Sequence, residues 1–261
     1  MTPDPIPVRA ASMLECRNCG AGAPVDEHFC QQCSRILALG RHGDYFSFFG
    51  VPRRLGLDPQ NLERRFRDLS RKFHPDYFYN APPAERLASL ERSSYLNDAY
   101  RTLRDPAARI EHLLAVEGLP PATADQGGAK VPPALLEEVF ALNEELDEIR
   151  ELRESGGDEV TIRTRLEAAR TPIEGKRDEH GRRIQELGSR WDSQASAPSD
   201  ERLVTLQALR EQLLESKYID NLLATIEREA AGSGLSALAS VRPEAEGKDV
   251  EPRAQDLEPR A

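Results

Sequence analysis

Two short cysteine pairs carry the clearest chemistry in this 261-residue chain: Cys16-Arg17-Asn18-Cys19-Gly20 and Cys30-Gln31-Gln32-Cys33-Ser34. Two-residue spacing lets both sulfurs of a pair face one ion while backbone N–H groups support the thiolates, and Gly20 permits the positive-φ turn that follows. Cys16, Cys19, Cys30 and Cys33 together would complete a closed tetrahedral shell. The expectation is structural Zn2+, with rubredoxin-like iron and free or redox-active thiols as alternatives. A closed four-thiolate site has no open coordination position, so no catalysis is expected at the metal. His28, beside the second pair, is read as a solvent-exposed histidine rather than a substitute ligand. The segment is too small to hold a core of its own, and metal binding should supply its folding energy.

A second constellation is His74-Pro75-Asp76. It follows a stretch in which Leu62, Phe66, Leu69 and Phe73 recur at helical spacing, with Arg64, Arg67 and Arg71 in one flanking band and Arg65 with Lys72 in another. Asp58-Pro59 forms an N-cap and first turn. Proline cannot continue a helix, so the chain must turn and present His74 and Asp76 at the mouth of a loop running to Pro82-Pro83. A second amphipathic helix is expected from about Ala84 to Leu103, and Asp105-Pro106 caps a shorter one through His112-Leu113-Leu114. An enzyme would need a nucleophile or an open metal position. His74 and Asp76, separated by proline and without further matched ligands, supply neither, so the chain is not expected to be an enzyme.

The elements that must position these groups are helical. Residues 134–153 place Leu135, Val139, Leu142, Leu146 and Ile149 on a bundle seam. Leu136 and Phe140 lie off it, on a side shared with Glu137, Glu144, Asp147, Glu148 and Glu151, a pattern that suits a partner-docking patch. A helix is expected from about Asp158 to Trp191, kinked or interrupted near Pro172. A last helix begins at Ser199-Asp200 and carries Leu203, Leu206, Leu213, Leu222 and Ile226. The predicted fold class is all-α: a helical hairpin followed by a three-helix bundle and preceded by a small metal-binding module. The domains run 1–40, 41–117, a turn-rich linker at 118–133, 134–230, and a disordered tail at 231–261 that lacks the apolar surface to offset chain ordering.

Composition sets the outer limits. The chain is 39% hydrophobic, 6% aromatic and 31% charged, with a formal charge of −10 from 35 basic and 45 acidic residues. Residues 41–117 hold 13 basic and 11 acidic groups, whereas 118–231 hold 15 and 24. The acidity disfavours nucleic-acid binding, which draws its affinity from basic surface. No apolar run approaches the roughly 18 residues that a membrane helix needs. Met1 to Met13 suits neither a secretory signal nor an Arg-rich transit peptide. Cysteines confined to Cys16–Cys33 do not form a disulfide framework, so a reducing, cytoplasmic location is expected, with the mitochondrial matrix as alternative.

A basic helix, His-Pro-Asp, a loop and an antiparallel partner helix resemble the J-domain of DnaJ-type co-chaperones. Asp44-Tyr45-Phe46-Ser47-Phe48-Phe49-Gly50, Arg71-Lys72-Phe73-His74-Pro75-Asp76, Leu96-Asn97-Asp98-Ala99-Tyr100-Arg101-Thr102-Leu103, Arg109-Ile110-Glu111-His112-Leu113-Leu114 and Glu144-Glu145-Leu146-Asp147-Glu148-Ile149 are similar to HscB, the J-protein of iron–sulfur cluster assembly. The match covers roughly residues 43–230. It implies that His74, Pro75, Asp76, Arg64, Arg65, Arg67, Arg71 and Lys72 meet a DnaK/HscA-type chaperone and stimulate its ATPase. It also implies that Leu136, Phe140, Glu144, Glu148 and Tyr218 meet the scaffold protein IscU. Glu137 departs from the family, which can carry an apolar residue there. Some eukaryotic relatives have a cysteine module ahead of the J-domain and many bacterial ones do not. That module could serve stability, self-association or an extra contact, and a J-protein whose module selects another client is the alternative reading.

Overall fold

The computed structural model describes residues 13–24, 27–39, 44–120, 122 and 132–231. The expected tail beyond residue 231 and most of the expected linker lie outside the described residues. A small hairpin pairs β1 (Met13–Glu15) antiparallel with β2 (Gly22–Pro24). Seven α-helices follow among the described residues: α1 (Tyr45–Phe49), α2 (Pro59–Phe73), α3 (Pro83–Arg104), α4 (Pro106–Val116), α5 (Leu136–Glu154), α6 (Glu159–Ser193) and α7 (Ser199–Ala230). None is long and apolar enough to cross a membrane.

Local chemistry sets most boundaries. Asp58 accepts hydrogen bonds from the Gln60 and Asn61 N–H groups, and Pro59 occupies the first turn of α2, where its missing N–H is harmless. Asp105 caps α4 through the Ala108 N–H at 2.7 Å. Gly50 ends α1 in the left-handed region at φ 61°. α3 runs back along α2, with Tyr100 stacked on Phe66 at 4.2 Å and the hydroxyls of Ser89 and Ser93 both donating to the Phe73 carbonyl.

The proline in α6 does not interrupt it. Residues Glu159–Ser193 form one helix with Pro172 inside, close to the expected span of 158–191 and without the interruption that was one of the two expected outcomes at the proline. Proline in a helix interior costs about 3 kcal/mol. Burial of Ile162, Leu166 and Ile173 on either side outweighs this, since each such side chain contributes roughly 1.5–3 kcal/mol.

α6 and α7 also do more than complete a separate bundle. One core joins Leu135, Val139, Leu142, Leu146 and Ile149 of the α5 region to the first part of α6 and the last part of α7. The other ends of those helices, with Trp191, Leu206, Leu209 and Leu213, are buried with Phe46, Phe49, Leu62, Leu103 and Leu113 of α1–α4. Leu203, expected on the apolar stripe of α7, is largely exposed. The junction is hydrogen-bonded as well as packed. Trp191 Nε1 donates to the Arg53 carbonyl at 3.1 Å. The Asp192 carboxylate accepts from the N–H groups of Leu55 and Gly56 at 2.8 and 2.7 Å. Buried Arg109 donates to the carbonyls of Leu103 and Leu55.

Asp192→Ala should therefore leave two N–H groups at the junction without their acceptor and destabilise the chain by about 1–3 kcal/mol in urea unfolding. A midpoint equal to that of the wild type would show that the contact contributes nothing.

Candidate functional site

The metal centre is built from two near-identical turns. In the first, Cys16 N–H donates to Ala21 O and Gly20 N–H to Cys16 O; in the second, Cys30 N–H donates to Arg35 O and Ser34 N–H to Cys30 O, all at 2.8 Å. Gly20 and Ser34 occupy the same place in the two turns, with φ of 73° and 56°. The second turn thus accepts a left-handed serine, which spacing alone did not reveal. Cys16 Sγ lies 3.6 Å from Cys33 Sγ, and Cys19 Sγ 3.7 Å from Cys30 Sγ. All four sulfurs fall within 4.8 Å of one another. A disulfide would bring sulfurs to about 2.05 Å. Four thiolates about 2.3 Å from one ion lie about 3.8 Å apart along tetrahedral edges, so the donor set fits a single closed metal site. The Arg35 backbone N–H, helped by the Asn18 side chain, lowers the Cys33 thiol to about 6, whereas, against the Ala21 backbone, burial and the neighbouring sulfurs push Cys19 up to about 12; a cation is what lets all four serve together as thiolates. The four cysteines are positioned to bind a metal ion.

His28 is neither a ligand nor a solvent-exposed side chain, contrary to expectation. Its ring lies edge-on to Phe48 and Phe73, with centroids 4.8 and 4.9 Å away. Its Nε2 meets the Phe48 carbonyl at 3.0 Å, and its Nδ1 meets the guanidinium of Arg92 at 2.7 Å. Tertiary packing overrides its position in a polar loop.

At the end of α2, Phe73 is fully buried and the chain turns out of the helix at His74. Pro75–Phe78 forms one 3-10 turn, in which His74 Nδ1 accepts from the Asp76 N–H at 3.3 Å and Tyr77 N–H donates to His74 O. The backbone is held while the Asp76 side chain, 86% exposed, projects into water. Ser70, Arg71, His74, Asp76 and Tyr77 line a shallow depression there. Of the predicted cations, Arg67 pairs with Glu63, Arg71 with Asp68 at 2.7 Å, and Arg64 bonds Asn61, all on the surface of α2. Lys72 is exposed. Exposed pairs of this kind are worth about 0–1 kcal/mol and are readily exchanged for a partner's carboxylate. Arg65 differs: it donates to the Phe49 carbonyl and fastens α2 to the end of α1.

On α5, Leu136, Phe140, Glu144 and Glu148 recur every fourth residue and form one ridge. Phe140 is 70% exposed and Leu136 39%, whereas the seam residues Val139, Leu142, Leu146 and Ile149 are buried. Glu144 is exposed, and Glu148 pairs with Arg165, which also grips Glu145 at 2.7 Å. Tyr218 packs half-buried against the second core. The metal centre, the His74–Asp76 turn and the α5 ridge thus stand on three different elements.

Sequence reasoning missed Arg92. The signal was present, because Ala88, Arg92, Leu96, Ala99 and Leu103 share the buried face of α3 and a charge interrupts that stripe.

No family model matches the chain. Among solved structures, it is similar to the human co-chaperone protein HscB, at 25% identity over 83% of this chain and 98% of that one, with a TM-score of 0.57. It is also similar to the chaperone HscB from Vibrio cholerae, at 26% identity over 72% and 98%, with a TM-score of 0.47. With its nearly full-length match to the human protein and its four clustered sulfurs, the chain is a structural relative of the HscB co-chaperones that carries a four-cysteine metal-binding module.

Proposed function

We propose that this chain is a J-domain co-chaperone that stimulates the ATPase of a DnaK/HscA-type chaperone and brings to it an IscU-type scaffold protein during iron–sulfur cluster assembly. The observation that carries the reading is the His74–Asp76 turn. A backbone fixed by hydrogen bonds holds one exposed carboxylate at the end of a basic helix. Arg64, Arg67, Arg71 and Lys72 steer the helix to an acidic partner surface and set its register. Asp76 then accepts charge-assisted hydrogen bonds from the chaperone and favours its hydrolysis-competent state. No bond is made or broken on this chain. Arg65, tied to the Phe49 carbonyl, contributes through the shape of the α1–α2 junction.

The client side is the α5 ridge. Phe140 and Leu136 offer exposed apolar area, and Glu144 and Glu148 frame it with negative charge. Aromatic anchors within a polar rim are the usual source of binding energy in such interfaces. Tyr218 of α7, half-buried against the second core, completes this surface. The four sulfurs hold Zn2+ as a structural ion, and thiolates kept for a metal fit a reducing compartment, the cytoplasm or the mitochondrial matrix.

Asp76→Asn should keep the helical circular-dichroism signal and thermal midpoint of the wild type while lowering chaperone ATPase stimulation at least about tenfold; full stimulation by that variant would refute the docking role. Phe140→Ala should weaken binding of the IscU-type scaffold in calorimetry by about 2 kcal/mol, roughly 30-fold in Kd, with stimulation by the chain alone unchanged. An unchanged Kd would remove the ridge from the interface. Elemental analysis should find zinc at one ion per chain in the wild type and none in Cys16→Ser/Cys33→Ser, while iron in its place would correct the assignment of the metal.

A further inference from the structure

Arg92 is a charged group with no exposure to solvent. Its guanidinium lies 5.7 Å from the centroid of the Phe73 ring. Among the described residues, its side-chain hydrogen bonds all leave the helical hairpin. Nε donates to Leu37 O at 2.9 Å, one terminal nitrogen meets His28 Nδ1 at 2.7 Å, and the other donates to Glu27 O and Ala38 O at 3.2 Å. All four acceptors flank the second cysteine turn. His28 takes up Arg92 on Nδ1, so its Nε2 carries the proton and donates to Phe48 O. Phe29, in the same segment, stacks on Phe73 at 6.0 Å, and Arg35 reaches Glu85 in the first turn of α3 at 2.9 Å.

The segment that supplies these acceptors has little regular structure. One bridge joins Phe29 to Ile36, and the turn bonds of Cys30, Ser34 and Leu37 complete it. Its small core is Cys16, Ala23, Cys30 and Leu37, which includes two of the ligand cysteines. A module of this size folds on its metal. Ile36, Phe29 and Leu39 seat this segment against the first core, and four sulfurs sharing one ion complete the fixing of the Glu27, Leu37 and Ala38 carbonyls. Without fixed acceptors, a buried guanidinium is strongly penalised and must reach water. Its exit would disturb α3 between Ser89 and Ser93, the two residues whose hydroxyls hold the Phe73 carbonyl, and Phe73 directly precedes His74.

We propose that the metal-binding module is a positioning element for the His74–Asp76 turn: the occupied four-cysteine site lets Arg92 and His28 lock the end of α2, and loss of the ion releases it. Arg92 and His28 are positioning residues that need touch no partner. The lock itself is independent of function, and its consequence for chaperone docking rests on the co-chaperone reading above. On that reading, metal supply sets the competence of the docking turn.

The experiment uses the full chain in three forms: zinc-loaded, stripped with a chelator, and stripped then resupplied with zinc. Hydrogen exchange is followed by mass spectrometry beside single-turnover ATPase assays of a DnaK-type chaperone. Stripping should speed exchange over residues 70–80 by about tenfold or more, leave residues 139–149 and 219–226 of the second core unchanged, and be reversed by zinc. The concentration of chain giving half-maximal stimulation should rise about tenfold while the maximal rate is kept, since the turn is released but not altered. Unchanged protection over 70–80 in the stripped protein would overturn the proposal, and so would loss of protection throughout the chain. Zinc-loaded Arg92→Lys, which retains the charge but cannot span four acceptors, should show the same local signature with zinc still bound; wild-type protection in that variant would also overturn it. If the loaded wild type stimulates no chaperone, the co-chaperone reading fails while the exchange data still decide the lock.

Discussion

The anchoring of Phe73 is the constraint on which the rest of the structure depends. Its side chain has no exposure and meets His28, Phe29 and Phe48, while its carbonyl accepts from both Ser89 and Ser93. That carbonyl belongs to the last turn of α2, where no intrahelical N–H can reach it, and two hydroxyls from α3 take that place. The helix must therefore end at this point and against this neighbour. Pro75 removes any means of continuing, and Asp76 and Tyr77 emerge into solvent on a hydrogen-bonded backbone while Phe78 returns to the core. A loop tip would ordinarily be mobile. Here the backbone is held by the residue just behind it.

The same economy of elements links the two ends of the molecule. α6 and α7 are long enough to serve both cores, burying Trp191, Leu206, Leu209 and Leu213 with the α1–α4 hairpin and Ile162, Leu166, Ile173, Ile219, Leu223 and Ile226 with α5. Asp192 fastens this pair of helices to the loop at Leu55 and Gly56. The basic face of α2 and the acidic, apolar ridge of α5 are thus carried on one framework without sharing a surface. Opposite charge on separate elements suits two different partners and discourages one from occupying the other's site.

Local patterns in the sequence were sufficient for features whose physics is local. Cysteine spacing predicted four convergent sulfurs, helical periodicity located α2, α3 and α5, and the His74-Pro75-Asp76 turn followed from proline chemistry. What the sequence hid was decided across long separations. Pro172 left a kink or an interruption open because helix propensity counts neighbours and not the buried Leu166 and Ile173 beside it. Trp191 looked like part of the terminal bundle because its own helix points there, whereas its indole bonds to Arg53, far away in the chain. His28 and Arg92 were read, or passed over, as polar residues of a loop and a helix. Their meeting, between segments that no periodicity connects, joins the Phe29–Phe73 and Arg35–Glu85 contacts in building the metal module into the hairpin. Ser34 shows the limit at the smallest scale: its left-handed backbone is imposed by the turn and carries no glycine to announce it.

Docking of the His74–Asp76 turn and its basic helix on a DnaK-type chaperone, as proposed, is decided by single-turnover ATP hydrolysis of such a chaperone titrated with the 261-residue chain at several ionic strengths. Hydrolysis should accelerate over that of the chaperone alone, with a half-saturating concentration that rises with salt as screening weakens the Arg64, Arg67, Arg71 and Lys72 contacts. Hydrolysis at the chaperone's own rate, whatever the concentration of the chain, would rule the docking out.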